Sequence, residues 1–175
     1  YEEAWEVQKK MFGLRKNNEI NDTLILVEHT PTISFGINEE WNKLHVSEEE
    51  LKREKIDFVK SDRGGGAAYL GPGQLIGYTI LDIKKFGSVL PFMKALEEVM
   101  IKTALDFGII VKRYDVMNPT TDKPYRATWY KNGSEIPKVL CTKGIKIALN
   151  GTGMYTHHGF ALNVNKTEPN YFHFI

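Results

Sequence analysis

The sequence predicts an α+β fold, a mixed and mostly antiparallel sheet flanked by helices. Three observations carry that expectation. Helical spacing of apolar residues is confined to a few segments. Short β-branched runs bounded by turn residues fill much of the rest. The strands also crowd into the second half, instead of alternating with helices as a doubly wound parallel sheet requires.

Taken in order, Tyr1, Ala4, Trp5, Gln8, Met11 and Phe12 recur at helical spacing and put one mostly apolar face on a first helix, which Asn17 and Asn18 end. Thr23 to Val27 reads as a buried strand ahead of Pro31, and Ile33 to Phe35 as a second short one. Ser47 followed by Glu50 is a capping box that starts a short charged helix through about Lys55; Asp57 to Lys60 then alternates like a strand. Arg63 to Gly73 carries too many glycines for an element interior and must be a shaped loop, with strand-like Leu75 to Leu81 behind it. Ser88 to Phe107 is a second long helix: Pro91 lies in its first turn, Phe92, Leu96, Val99, Met100, Thr103 and Phe107 share a face, and Gly108 stops it. Strands follow at Ile109 to Arg113, Ala127 to Tyr130, Lys138 to Thr142, Ile145 to Leu149 and Phe160 to Val164. Asn118 to Lys123 is loop, and Asn132-Gly133 and Lys143-Gly144 are expected hairpin turns.

Composition narrows the function. With 175 residues and 42% hydrophobic content, residues 1–175 form a single domain that needs no disulfide or metal staple. Lys and Arg number 23 against 22 Asp and Glu, a net charge of +1, so no broad positive field exists to wrap nucleic acid. Cys141 is the lone cysteine; it has no internal disulfide partner and fits a reducing compartment, the cytoplasm first, with a mitochondrial or plastid matrix as alternatives. No apolar run approaches the roughly 20 residues that span a bilayer. The chain begins at Tyr1 and not at Met, so it reads as a piece of a longer product. The Asn-x-Ser/Thr sequences at Asn21, Asn132, Asn150 and Asn165 have no signal peptide to support glycosylation.

Three stretches could carry chemistry. Arg63 to Gln74 holds consecutive glycines, which let backbone N–H groups approach a ligand closely, although the same run would also serve as a connecting turn. It has neither the phosphate P-loop ending nor the dinucleotide spacing, so it implies no nucleotide cofactor. Lys146, flanked by apolar residues on an inner strand, would lose solvation in a way that suits it to accept a proton or partner a thiolate; a solvent-facing lysine is the plainer alternative. In His157-His158, neighbours on a strand point to opposite faces, so the pair is not expected to share a metal ion, and at most one faces a site. Cys141 reads as a small buried hydrophobe more readily than as a nucleophile.

Four blocks, in this order, resemble the octanoyltransferase family of lipoate biosynthesis (lipoate-protein biosynthesis protein B): Tyr1-x-x-Ala4 to Gln8, Leu26-x-Glu28-His29-x-Pro31 to Gly36, Arg63 to Tyr78, and Gly144 to Asn165. The resemblance implies a biotin/lipoate protein ligase-like fold and an acyltransferase without a cofactor. It would move an octanoyl group from octanoyl-acyl carrier protein to a lysine of a lipoyl domain, in 2-oxoacid dehydrogenase complexes or the glycine cleavage H protein, through a cysteine thioester. Lys146 matches the family's catalytic lysine. Arg63, Gly64, Gly65, Gly66, Ala67, Ala68, Tyr69 and Leu70 match its first substrate-binding segment, Leu149, Asn150 and Gly151 the second, and Gly159, Phe160 and Ala161, with His158 beside them, the third.

Two departures stand out. Where the family has Thr-Tyr/Phe-His before Gly-Pro-Gly-Gln, this chain has Ala68-Tyr69-Leu70. The family's nucleophilic cysteine falls in a Pro-Cys-Gly turn that the resemblance places just after Ile175, so the domain is expected to be cut short at both ends. An ATP-dependent lipoate or biotin ligase and a non-catalytic acyl or lipoyl-domain binding protein are the alternative readings.

Overall fold

The computed structural model describes residues 1–117, 124–130, 138–165 and 171–175, with Trp41 and residues 112–117, 124–130 and 138 as backbone alone. The expected loop at Asn118 to Lys123 and the expected turn at Asn132-Gly133 lie outside the described residues. In chain order the main elements are α1 (Glu2–Lys16), β1 (Thr23–Val27), β2 (Thr32–Phe35), α2 (Glu48–Arg53), β3 (Asp57–Lys60), β4 (Ala68–Leu70), β5 (Gln74–Ile80), α3 (Val89–Asp106), β6 (Val111–Met117), β7 (Pro124–Tyr130), β8 (Lys138–Asn150) and β9 (Gly153–Asn163). They fall into two compact units, Tyr1–Lys84 with Lys143–Ile175, and Lys85–Thr142. The class is α+β, as predicted.

In the first unit β1, β5, β9 and the later part of β8 are neighbours in that order. β1 pairs antiparallel with β5 from Thr23↔Ile80 to Val27↔Ile76, and β5 with β9 from Gln74↔Asn163 to Tyr78↔Gly159. A smaller sheet sets β2 between β3, parallel, and β4, antiparallel, so that sheet is mixed. α1 carries Glu2 and Glu3 in its first turn and Arg15 and Lys16 in its last, which the helix dipole favours at each end. It lies along β9, β5 and β1 with Gln8 completely buried, and the predicted face points inward. Ser47 caps α2, its Oγ accepting from Glu50 N at 3.2 Å, as the capping box predicts. One core gathers Ile33, Leu51, Ile56, Tyr69, Tyr171 and Phe174; another gathers Leu70, Ile76 and Tyr78.

Two expectations are corrected in this unit. Ala68 to Leu70, expected as loop, is strand β4: Ala68 pairs with Ser34, and Tyr69 and Leu70 are drawn into the two cores. Lys143-Gly144 is not a hairpin turn, because β8 runs through it unbroken to Asn150. The reversal comes at Gly151, which has φ +56°, and Thr152. Gly144 answers a demand from another part of the chain, since a Cβ there would stand 2.7 Å from Gly64 O.

In the second unit α3 packs on β6 and β7 through Phe92, Leu96, Met100 and Ala104. This i, i+4 stripe displaces part of the predicted face, and Val99 and Phe107 are exposed. β6 pairs antiparallel with β7 from Val111↔Tyr130 to Met117↔Pro124, and β7 pairs with the start of β8, with a bulge between Thr128 and Trp129. Among the described residues no helix is long and apolar enough to cross a membrane.

Candidate functional site

The glycine run forms a tight bend clasped from two sides. Its carbonyls accept from the segment after β2: Arg63 O from Ile37 N at 3.0 Å, Gly65 O from Asn38 N at 3.1 Å and Gly66 O from Gly36 N at 3.2 Å. On the other side Gly64 N donates to Ile145 O of β8 at 3.1 Å. Side chains are excluded by backbone: a Cβ on Gly36 would fall 2.1 Å from Gly65 O, and one on Gly64 would fall 2.8 Å from Ile145 O. Gly65, at φ +85°, supplies the left-handed step.

Arg63 staples this bend from within. Its guanidinium donates to Ser34 O at 2.6 Å, Gly66 O at 2.7 Å, Ser34 Oγ at 3.1 Å and Gly64 O at 3.1 Å. The residue before it, Asp62, points the other way and meets two elements at once. Lys146 Nζ on β8 donates to Asp62 Oδ2 at 2.7 Å, and His158 Nε2 on β9 lies 2.6 Å from Asp62 Oδ1. Lys146 is thus beside the bend, but its side chain is 43% exposed and ion-paired. The desolvated surroundings expected for it are not those observed, because Ile145 and Ile147, adjacent on a strand, project to the opposite face.

The two histidines correct a further expectation. They do not point to opposite faces, for their rings stack at 4.7 Å with a 27° interplanar angle. The cause is a break in the ladder. His158 adopts φ +60°, its N–H is taken by Gln8 Oε1 from α1, and hydroxyl bonds replace regular pairing: Thr79 Oγ1 donates to His158 O at 3.1 Å and Thr156 Oγ1 to Thr79 O at 2.8 Å. Both rings are buried, and neither Nδ1 has a hydrogen-bond partner.

The electrostatics follow from this packing. Burial pushes the Asp62 carboxyl up, but the bonds from Lys146 and His158 outweigh it and bring it to about 2. Burial, reinforced by the neighbouring His158, pulls His157 down to about 4. His158 is also held below the usual histidine value, burial outweighing the opposing bond to Asp62. His29, two residues after β1, joins the same region: its Nε2 is 2.6 Å from Tyr78 Oη, and the Tyr78 ring meets His158 edge-on. Burial holds His29 down at about 4 and raises Tyr78.

Ligand atoms of Asp62, His157 and His158 lie within 4.8 Å of one another. A tetrahedral ion with bonds of about 2.1 Å would draw its donors to roughly 3.4 Å apart. Both Asp62 oxygens are already engaged, one of them by an ammonium that would repel a divalent cation. The cluster fits a hydrogen-bonded charge network better than an ion cage.

The remaining predicted residues are dispersed. Tyr69 and Leu70 face the cores, and Tyr69 meets Tyr171 and Phe172 edge-on. Gly159 and Phe160 sit against Gly77 of β5, with Ala161 following on β9. Leu149 to Gly151 lie at the exposed β8–β9 turn, where Asn150 Nδ2 donates to Lys16 O at the end of α1. Cys141 is buried in the second unit, its Sγ directed at Thr142 O. Sequence reasoning passed over Asp62, and it placed Gln8 on the inward face of the first helix without its bond to the His158 amide. The only hint of Asp62 is a carboxylate immediately before a glycine bend, in a chain whose key lysine needs a partner.

A lysine held against a glycine bend, with neutral imidazoles at its side, has the makings of a group-transfer site: a cation for developing negative charge, bases for protons and backbone amides for a carbonyl. The sequence model described as the lipoyl protein ligase A/B catalytic domain matches residues 1–175, and the chain belongs to that family. It is 36% identical over 166 residues to an octanoyltransferase from Roseiflexus sp. (strain RS-1), covering 94% of this chain and 63% of that one. To an octanoyltransferase from Desulforamulus reducens it is 32% identical over 176 residues, covering all of this chain and 70% of the relative. It therefore spans about two thirds of the length of these relatives. Among solved structures, a lipoate-protein ligase A bound with ATP superposes with TM-score 0.59 at 15% identity, over 92% of this chain and 63% of that one. A bipartite lipoate protein ligase from Thermoplasma acidophilum, described with its E2 lipoyl domain, gives 0.55 at 14% identity, over 92% and 58%. These two show the fold.

Proposed function

We propose that this chain is the greater part of an octanoyltransferase that takes an octanoyl group from octanoyl-acyl carrier protein and delivers it to a lysine of a lipoyl domain. The observation that supports this most is the Lys146–Asp62 ion pair at 2.7 Å, which joins the two most family-specific blocks, the Arg63 bend and β8. In this reading the nucleophilic cysteine is supplied after Ile175. Its thiolate attacks the thioester carbonyl and the carrier's thiolate leaves. The acceptor amine then attacks the acyl-enzyme, loses a proton and expels the cysteine thiolate. In this reading Lys146 stabilises the anionic sulfur, amides of the Gly65 and Gly66 bend serve as donors to the oxyanion, and the buried imidazoles accept protons. The apolar chain gains roughly 0.8 kcal/mol per buried CH₂. Lipoyl domains of 2-oxoacid dehydrogenases and the glycine cleavage H protein are the acceptors, and a reducing compartment, the cytoplasm before an organelle matrix, is the setting; fractionation of the native source tests the last point.

The test uses the full-length protein with octanoyl-acyl carrier protein and a lipoyl domain. Intact-mass measurement is expected to show an octanoyl adduct on the protein and then on the acceptor, and Lys146→Ala should slow transfer by about 100-fold or more. Absence of both adducts overturns the proposal. Exchange of pyrophosphate into ATP that depends on free octanoate would replace it with a ligase, and tight binding without turnover with a carrier-binding protein.

A further inference from the structure

We propose that Asp62 is a positioning residue for acyl transfer, one carboxylate that fixes Lys146 and His158 relative to each other beside the Arg63 bend. The inference rests on the octanoyl-transfer reading and assigns a role to a residue outside the segments that carried it.

An exposed ion pair is ordinarily worth little, because two flexible side chains must be immobilised to make it. Asp62 differs because it is held from three directions. Its backbone leads directly into Arg63, whose guanidinium is tied to Ser34, Gly64 and Gly66. Its Oδ1 meets His158, which is 1% exposed and kept in a left-handed conformation by the Gln8 bond to its N–H. Only the third contact, Lys146 at Oδ2, involves a mobile group. A fixed carboxylate therefore restrains a long side chain that its own exposed strand position leaves free to swing, and positioning of this kind is where small displacements become large rate losses.

The same contact sets a tautomer. A carboxylate can only accept, so His158 Nε2 carries the ring proton and Nδ1 is left as an acceptor, the buried atom without a partner. Asp62 thus aims one ammonium donor and prepares one imidazole acceptor with its two oxygens. An asparagine of the same shape cannot do both, since its amide oxygen accepts from one partner while its NH₂ faces the other partner's donor.

The test has two arms on the full-length protein and its Asp62→Asn variant. In steady-state transfer, kcat is expected to fall by about tenfold or more with KM for the acyl carrier nearly unchanged, and the pH–rate profile should shift. In the second arm, acetic anhydride labels lysines and mass spectrometry reads each site; Lys146 should react severalfold faster in the variant, relative to the other lysines, because its ammonium is released. This arm needs no activity. If the parent protein fails to transfer octanoate while Lys146 labelling still rises, the functional reading is lost and the clamp stands. If kcat, the pH profile and Lys146 labelling match the parent's, the clamp is refuted. Melting temperatures check that folding survives, and Asp62→Ser takes the place of Asp62→Asn if the latter does not fold.

Discussion

The bend at Arg63 to Gly66 and the reversal at Asn150 to Thr152 both depend on glycine, yet for opposite reasons. In the bend the neighbours forbid a side chain: Gly65 O stands 2.1 Å from where a Cβ of Gly36 would be, and Gly64 O 2.7 Å from that of Gly144. In the reversal nothing lies within 4 Å of a Cβ on Gly151, and only its own φ of +56° calls for glycine. The first is a demand of packing between distant segments and the second a demand of local backbone geometry. The comparison teaches that the cost of replacing a glycine is set by its neighbours in space where backbone crowds it and by its own φ where nothing does.

Substitution of Gly36 by Ala gives the largest separation. The clash is with backbone that is bonded on both sides, so urea unfolding should show a loss of at least about 3 kcal/mol, or no folded protein. A loss under about 1 kcal/mol would mean that the bend can yield, and would erase the distinction.

Acid provides the next lever, because titrating groups cluster beside the bend and not at the reversal. His157 stays neutral in the folded chain down to about 4, whereas the unfolded side chain takes up its proton near 6.5. Between those values the unfolded state binds more protons, so stability is complete above pH 6.5 and drains away as pH falls toward 4, by at most about 3 kcal/mol. His157→Gln should flatten that slope in denaturant titrations across this window; an unchanged slope would assign the acid sensitivity elsewhere. Asp62 acts lower still. Its carboxyl is held at about 2 against an ordinary 3.8, so its contribution is present above 3.8 and disappears as pH falls through 2.

The smallest effect belongs to Gly151→Ala, which meets no atom and bears only the left-handed penalty, about 1 kcal/mol. A cost matching that of Gly36→Ala would show that the reversal, too, is held by its surroundings.

What the sequence revealed sorts along the same line. The inward face of α1, the Ser47 cap and the existence of α3 follow from residues within a turn or two of each other and were legible, whereas the buried face of α3 was read only in part, at Phe92, Leu96 and Met100. Gly144 was misread as a turn because its constraint comes from Gly64, far away along the chain. The stacking of His157 on His158 escaped the rule of alternating faces because Gln8, from the opposite end, holds the backbone out of strand geometry. The Arg63 bend and Lys146 stood out by residue type and resemblance, whereas their link through Asp62 needed three dimensions, since an isolated aspartate advertises nothing.

The bond from Gln8 to the His158 amide joins positions 150 apart in the chain. Closure over so long a span is slow and entropically costly, so it belongs among the late events of folding. During synthesis α1 would leave the ribosome early and wait, its buried-side glutamine hydrated, until β9 emerges to receive it. The charge cluster of Asp62, Lys146 and His158 then forms only once β9 is available to receive the glutamine.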